Sequence, residues 1–267
     1  MLRGTPMTTI TEAAVTKHVQ NYLRDYEDRL GPREPALFER VFTPPLARYT
    51  KRLRAIRFTD MDRVLDACCG FGQWTLCLAE LNRRVDACDI SPVRAEIVNT
   101  LAHDLGIDSI KAVQSRLETL PYEDNTFDGA FCYVSLTCTP WKESLQELHR
   151  VLKPGGRAYF TANALGYFVR QWVEEPHKTA QRSPRFFTAL SLKNTLEYEE
   201  TGKGPELGQV VVEKDEMRTC LDEIGFTITA MEDEGCIDLT NGEHPPTSFF
   251  PGEYNGLTCC YEVIASK

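Results

Sequence analysis

The sequence predicts an α/β fold in which a parallel sheet is covered by helices on both faces. Two observations carry this prediction. From Val64 onward, short apolar runs rich in β-formers alternate with helical stretches, and parallel strands need such crossover helices between them. The first of these runs also passes through a glycine turn directly into a helix, which is how a βαβ unit begins.

The first sixty residues are predicted to be helical. Thr9 to Glu12 matches a capping box, the usual start of a helix. Apolar residues then recur at the three- to four-residue steps of a helix face: Val15, Val19, Leu23, Tyr26 and Leu30. Gly31-Pro32 ends this helix, and we expect a short helix over 35–42. Pro44-Pro45 opens a third helix that runs through Ile56.

The rest of the chain follows the strand–helix rhythm with one interruption. Strands are predicted over 63–67, 84–88, 110–114, 127–134, 157–162, 226–231 and 257–265. Helices are predicted over 73–81, 92–105, 141–152 and 215–224. Residues 165–208 are aromatic and charged and break the alternation, so they are interpreted as an inserted helical cap. We assign 1–60 to an N-terminal helical lid and 61–267 to the main domain, in which 232–255 forms a long loop.

Composition excludes several classes of function. The 267 residues carry a formal net charge of −9, which disfavours a bulk electrostatic grip on nucleic acid or anionic lipid. No run approaches the ~20 apolar residues of a membrane span, and the N-terminus lacks the apolar core of a secretory signal. The ten cysteines include no Cys-x-x-Cys pair, so no metal site is predicted. We expect free thiols in the reducing cytoplasm.

The segment from Val64 to Gln73 is the most informative part of the sequence. Gly70 and Gly72 allow a tight turn and close approach of a ligand to the backbone, and the following helix offers free N–H groups. Asp66 ends the first strand, where a carboxylate would repel a pyrophosphate but suits a cationic ammonium group. Asp89 ends the next strand, about ~20 residues on, where an acid is placed to bind ribose hydroxyls. The pattern indicates a nucleoside with an amino-acid-like cation.

Four segments in register resemble the class I S-adenosylmethionine (SAM)-dependent methyltransferases, over roughly 64–161. Val64–Gly72 (VLDACCGFG) resembles the first motif of that family, and Cys88–Pro92 (CDISP) resembles the ribose-binding acid motif. Leu120–Asp128 (LPYEDNTFD) resembles the stretch before the fourth strand, and Leu148–Arg157 (LHRVLKPGGR) the motif before the fifth. The resemblance implies a doubly wound, mostly parallel sheet of seven strands with the last strand antiparallel.

The resemblance also implies cofactor-binding roles, carried over position by position. Asp66 and the backbone of Cys68, Gly70 and Gly72 would hold the methionyl part of SAM. Asp89 would bind the ribose, and Ile90 would pack on adenine. Arg116 and Leu117 fall where the family contacts adenine, and Cys132 and Tyr133 fall at the methionyl end. The chain departs from the family pattern in having Cys68 where glycine is usual and Arg116 where an acid is common; arginine cannot accept a hydrogen bond from the adenine amino group.

The leading hypothesis is methyl transfer to a small molecule, because an acidic chain with an aromatic lid favours such an acceptor over nucleic acid. Tyr133, Asn163 and Tyr167 are the candidate catalytic residues. Tyr49, with Arg48 and Arg52 on the same helix, is a candidate for the cofactor carboxylate when the N-terminal lid closes.

Other readings stay open at this point. The same site would serve an enzyme that transfers the aminocarboxypropyl arm of SAM or cyclises it, or a regulatory subunit that binds SAM without turnover. A nucleic-acid or protein methyltransferase is a further alternative, although no basic appended domain is visible. The sequence leaves open the acceptor, the alkylated atom and the oligomeric state, with a homodimer as one alternative.

Overall fold

The computed structural model of the protein, described for residues 12–267, contains one seven-stranded mixed sheet. Its strand order is β3-β2-β1-β4-β5-β9-β6. The strands are β1 (Val64–Ala67), β2 (Val85–Asp89), β3 (Ile110–Gln114), β4 (Phe127–Cys132), β5 (Leu152–Asn163), β6 (Thr227–Asp233) and β9 (Cys260–Ser266). A separate two-stranded hairpin is formed by β7 (Glu253–Tyr254) and β8 (Leu257–Thr258). Strand β9 is antiparallel to both of its neighbours, which confirms the predicted fold class.

Helices flank the sheet in the order expected for a doubly wound fold. They are α1 (Glu12–Asp25), α2 (Glu34–Phe42), α3 (Leu46–Ala55), α4 (Gln73–Leu81), α5 (Pro92–Asp104), α6 (Trp141–Val151), α7 (Leu165–Glu174), α8 (Pro184–Thr201) and α9 (Lys214–Ile224). The proposed capping box at Thr9 lies outside the described residues. Among residues 12–267, no helix is long and apolar enough to cross a membrane.

The central strands are buried on both faces, as parallel strands between helical layers must be. All four residues of β1 are buried. Helix α6 places Trp141, Leu145 and Leu148 on one face, at helical spacing, and all three are buried in the core cluster on one side of the sheet. Helices α3 to α5 supply much of the cluster on the other side. This double burial fixes the carboxyl ends of β1, β2 and β4 at one edge.

Several predicted strand boundaries differ from the structure, and three of the differences have a clear structural cause. β4 ends at Cys132 instead of residue 134, because Val134 takes a left-handed conformation (φ 58°) and its N–H donates to the Thr161 hydroxyl oxygen at 2.8 Å. β5 begins at Leu152 instead of 157, since Leu152 pairs with Phe127 across an irregularity in the ladder. The last predicted strand is divided at Cys259, so that its first part pairs within the small hairpin.

The first two helices pack on α5 through polar contacts as well as apolar ones. The Tyr22 hydroxyl donates to Asp104 at 2.5 Å, and Arg29 forms an ion pair with Glu96. These contacts hold the N-terminal helices beside the cofactor-binding edge that the sequence predicts. The division into a lid and a main domain stays a prediction.

Replacing Gly166 by Ala is expected to destabilise the fold by about 1–3 kcal/mol, the cost of overpacking a filled site. A Cβ at this buried position would lie 2.5 Å from the carbonyl oxygens of Leu257 and Thr258, which are backbone atoms and cannot rotate away. Urea unfolding measures the effect. Gly31→Ala is the control, because its added Cβ would lie 3.4 Å from the nearest atom, on the flexible Glu34 side chain. Equal stabilities of the two variants would contradict the packing described here.

Candidate cofactor and acceptor site

The turn between β1 and α4 is built from left-handed residues. Cys68 (φ 62°), Gly70 (φ 57°) and Gly72 (φ 90°) alternate with ordinary residues. The turn is tied to β2 by the Cys69 N–H, which donates to the Cys88 carbonyl oxygen at 2.9 Å. A Cβ on Gly72 would lie 2.9 Å from Val98, whereas one on Gly70 would meet nothing within 4 Å. Gly72 is therefore required for packing, and Gly70 opens to space where a ligand can approach the backbone.

Asp66 is a buried carboxylate without a cationic partner among residues 12–267. Its side chain accepts a hydrogen bond from the Thr75 hydroxyl at 2.6 Å, and the residue is only 2% exposed. Burial raises the pKa of Asp66 to about 7; the Thr75 hydrogen bond opposes the shift and the nearby Asp89 adds to it. A buried carboxylate of this kind is stabilised by a cation, and a ligand ammonium would supply one.

Asp89 lies at the carboxyl end of β2, facing the same turn. It accepts hydrogen bonds from the Gly70 N–H at 3.0 Å and the Ser91 N–H at 2.9 Å. Burial raises the pKa of Asp89, while Arg94, 3.7 Å away, opposes that shift. These two backbone donors use only part of the acceptor capacity of the Asp89 carboxylate, which can accept further hydrogen bonds. The neighbouring Ile90 side chain is 57% exposed, so an apolar surface stands open beside the acid.

Arg94 connects Asp89 to the N-terminal helices. Its Nε lies 2.8 Å from the Glu34 carboxylate on α2, and its guanidinium lies over the Phe71 ring. Phe71, in the glycine turn, stacks on Phe38 of α2 with ring centroids 4.4 Å apart. The glycine turn, the acid of β2 and helix α2 thus form one contiguous unit.

Arg116 and Leu117 follow β3. The Arg116 guanidinium is largely exposed and forms an ion pair with Glu118 at 2.5 Å, while the Leu117 side chain is buried in the core. The Gln114 side chain donates to the Ile90 carbonyl oxygen at 3.3 Å. The ion pair with Glu118 engages the Nε of Arg116 and is compatible with stacking of the guanidinium face on adenine.

Cys132 ends β4 and Tyr133 follows it. The Cys132 side chain is buried, and its proximity together with burial raises the pKa of the Cys68 thiol well above its ordinary value. The Tyr133 hydroxyl donates to Glu234 at 2.7 Å, and its ring lies 4.8 Å from that of Trp74. Burial and the Glu234 carboxylate raise the pKa of Tyr133 well above its ordinary value. The phenol therefore stays protonated at neutral pH. It can line the site and donate a hydrogen bond, but it is not suited to act as a general base.

The remaining candidates lie around the same edge. The Asn163 amide is buried and donates to Gln209 at 2.8 Å. Burial raises the pKa of the Tyr167 phenol. The Tyr49 hydroxyl donates to the Val41 carbonyl oxygen at 2.6 Å, and its ring stacks on Phe249.

Sequence reasoning missed a buried charge network beneath Tyr133. The Arg52 guanidinium, fully buried, forms ion pairs with Glu234 and Glu262 and donates to the Tyr159 hydroxyl. The predicted role of Arg52 toward the cofactor carboxylate is therefore wrong, because its guanidinium is buried in the protein interior and paired there with two glutamates. Two signals in the sequence point to the network: Arg52 lies on the apolar face of its helix, and Glu262 interrupts the apolar run of β9.

The residues at this edge fit SAM. The unpartnered carboxylate of Asp66 suits the ammonium group, Asp89 retains acceptor capacity for ribose hydroxyls, and the exposed Ile90 offers a surface for adenine. In the first turn of α4, the Gln73 Oε1 and Trp74 Nε1 atoms are buried and make no hydrogen bond to any of the described residues, 12–267. Buried orphan groups of this kind cost free energy until a partner reaches them, and a bound cofactor is such a partner.

Solved structures show the same fold. Geranyl diphosphate methyltransferase in complex with SAM superimposes with a TM-score of 0.58 at 16% identity, covering 83% of this chain and 84% of that chain. A putative sarcosine dimethylglycine methyltransferase of Galdieria sulphuraria superimposes with a TM-score of 0.54 at 15% identity, covering 94% and 98% of the two chains. The architecture is that of the Rossmann-like methyltransferases.

Sequence comparison identifies the family of the central segment. Residues 64–156 match the family model described as a methyltransferase domain. A sterol 4-C-methyltransferase of Caenorhabditis elegans is 38% identical over 95 residues, 35% of this chain and 28% of that protein. A demethylmenaquinone methyltransferase of Oceanobacillus iheyensis is 33% identical over 100 residues, 36% and 42% of the two. The chain spans less than half the length of these relatives, and the similarity to them lies in its central, methyltransferase-domain segment.

Proposed function

We propose that this protein transfers the methyl group of SAM to a small-molecule acceptor and releases S-adenosylhomocysteine. The observation that carries the proposal is the pair of buried acids, Asp66 and Asp89, on either side of the left-handed turn at the carboxyl edge. The names of its relatives, a sterol and a demethylmenaquinone methyltransferase, support a small-molecule acceptor.

The contribution of the protein is binding and orientation. SAM supplies an activated methyl group on a sulfonium. Asp66 and the carbonyl groups of the turn hold the amino-acid end, Asp89 binds the ribose, and Ile90 packs on adenine. Tyr133, fixed by Glu234, forms a wall of the reaction site, and Asn163 at the end of β5 and Tyr167 in α7 lie on the acceptor side. Alignment of reacting groups alone is worth an effective molarity of ~10⁵ M or more.

The acceptor site is formed, in this proposal, by α2, α7 and the 232–255 loop. The Phe249 ring of that loop packs against Tyr49 of α3 and Trp74 of α4, and this aromatic cluster excludes water from the edge. Helices α1 to α3 act as the lid. A cytoplasmic location and a homodimeric state stay predictions of the sequence.

Product analysis tests the proposal. The protein is incubated with SAM alone and then with SAM and a metabolite panel, and nucleoside products are identified by mass spectrometry. S-adenosylhomocysteine that forms only with an acceptor is the expected result. Methylthioadenosine would show that the bond between the sulfur and the aminocarboxypropyl group is cleaved. Its formation from SAM alone would indicate cyclisation, and its formation only with an acceptor would indicate aminocarboxypropyl transfer. Binding of SAM without any product across the panel would favour a regulatory subunit.

A further inference from the structure

Glu234 lies buried between Tyr133 and the far end of the long loop that it begins. It follows β6 directly and is only 1% exposed. Its Oε1 atom accepts a hydrogen bond from the Tyr133 hydroxyl at 2.7 Å and lies 3.1 Å from the Arg52 guanidinium. Its Oε2 atom accepts from the Ser248 hydroxyl at 2.9 Å and from the backbone N–H groups of residues 249 and 250, at 2.9 and 3.0 Å. One carboxylate therefore joins parts of the chain that are far apart in sequence.

The segment 247–250 is held by side chains on both sides of its backbone. Glu234 binds its N–H groups, and two arginines of α3 bind its carbonyl groups. Arg52 donates to the carbonyl oxygen of residue 247 at 2.6 Å, and Arg48 donates to that of residue 248 at 2.6 Å. The Arg48 guanidinium also lies over the Phe249 ring, 4.3 Å from its centroid. The position of the Phe249 ring is therefore fixed by charged groups of the surrounding structure.

Phe249 brings this segment against residues beside the glycine turn. Its ring stacks on Tyr49 with centroids 5.0 Å apart, and it meets Trp74 and Tyr133 edge to face at 5.7 and 6.1 Å. Trp74 and Tyr133 are themselves 4.8 Å apart. Trp74 lies in the first turn of α4, which follows the glycine turn, and its buried indole N–H makes no hydrogen bond to residues 12–267. The aromatic group that Glu234 holds in place therefore borders the expected cofactor site.

The second glutamate of the network, Glu262, makes no such connection. It pairs with Arg52 and accepts hydrogen bonds from the Tyr159 hydroxyl at 2.8 Å and from two backbone N–H groups of the loop at 2.9 and 2.7 Å. Within the described part of the chain, none of its hydrogen bonds reaches Tyr133 or the segment 247–250. The two glutamates share one buried cation, but only Glu234 links that cation to the edge of the site.

We propose that Glu234 is a positioning residue of the methyltransferase site, which sets Tyr133 and the segment 247–250 in place as the wall that meets the methionyl end of SAM. The proposal rests on the proposed function and adds a residue that does not itself touch the cofactor. Side chains that line a site bind and align a ligand well only when their own supports hold them in position. Glu234 suits this role because donors engage both of its oxygen atoms, which fixes the carboxylate in one orientation.

Calorimetric titration of the full chain with SAM tests the proposal on two matched variants. Glu234→Gln and Glu262→Gln each replace a buried glutamate by an amide of the same shape, and each removes one anionic partner of Arg52. In Glu234→Gln the two backbone N–H groups retain the amide oxygen, so an amide NH₂ group faces Tyr133 and Arg52 in place of an acceptor. We expect Glu234→Gln to weaken SAM binding at least fivefold and Glu262→Gln to change it less than twofold, at a temperature at which circular dichroism shows both variants folded.

Tyr133→Phe provides a second test, because it removes only a hydroxyl group from a half-buried ring and decides the matter even where Glu234→Gln does not fold. It should weaken SAM binding, and its combination with Glu234→Gln should lose less affinity than the product of the two single losses, since both changes break the same hydrogen bond.

Three outcomes would overturn the proposal: equal affinities in Glu234→Gln and Glu262→Gln, an unchanged affinity in Tyr133→Phe, or fully additive losses in the double variant. If the wild-type protein fails to bind SAM, the proposed function fails. If the wild type binds SAM and any of these three outcomes is found, this inference alone fails.

Discussion

Replacing Asp66 by Asn is expected to weaken SAM binding by about 10- to 100-fold at pH 8, the loss of one hydrogen bond to a charged group (about 1.5–3 kcal/mol). It should also remove the pH dependence of that affinity. The pKa of Asp66 is raised to about 7 by burial, so the free protein carries a mostly neutral acid below pH 7. A cationic ligand prefers the ionised form, and wild-type affinity should therefore fall up to tenfold per pH unit as the pH drops below about 7.

Calorimetric titration between pH 5.5 and 8.5 measures both effects. Asp128→Asn is the matched control, since Asp128 begins β4 at the opposite edge of the sheet and pairs with Lys153 at 2.7 Å. That variant should bind SAM as the wild type does. Two results would show that the ammonium group does not bind Asp66. One is a wild-type affinity for SAM that does not change with pH, and the other is an equal affinity in the two variants.

Replacing Arg52 by Met is expected to destabilise the protein by about 3–5 kcal/mol, the usual cost of removing one partner from a buried ion pair. The change leaves Glu234 and Glu262 buried without their cation. Burial already raises the pKa of Glu262, an effect that Arg52 opposes. Loss of Arg52 raises it further, so the native state binds more protons than the unfolded state, and stability falls as the pH rises through that higher pKa.

Urea unfolding of this variant at pH 5 and pH 8 tests both parts of the prediction. The loss should be smaller at pH 5, where the stranded Glu262 carboxyl group is protonated to a greater extent than at pH 8. Arg24→Met serves as the control, because Arg24 is exposed and pairs only with the adjacent exposed Asp25; its effect should stay within about 0.5 kcal/mol. A loss below 1 kcal/mol in Arg52→Met at both pH values would show that the network is not needed for stability.

The central fold was predictable because its signals are local. Each parallel strand is a short apolar run with a turn or helix signal after it, and the glycine turn after β1 requires backbone conformations that few residues adopt. Helix α4 and strand β3 lie where the sequence predicts them, over 73–81 and 110–114. Asp66 and Asp89 could be selected as candidate ligand-binding residues from the sequence, because a carboxylate at the end of an apolar strand is costly to bury unless it binds something.

The parts that were not predictable depend on contacts between distant residues. Arg52 and Glu262 are separated by 210 positions, and no local pattern reveals that they pair. The engagement of Arg116 with Glu118 depends on a rotamer choice that residue type does not determine. The end of β4 at Cys132 depends on a hydrogen bond from Val134 to Thr161 of another strand.

The position of the cofactor is tested by a crystal structure with S-adenosylhomocysteine. We expect the ribose hydroxyls within hydrogen-bond distance of the Asp89 carboxylate, the amino group at the Asp66 end of the turn, and the adenine against Ile90. A nucleoside bound at another edge of the sheet, or one at this edge whose ribose does not touch Asp89, would contradict it.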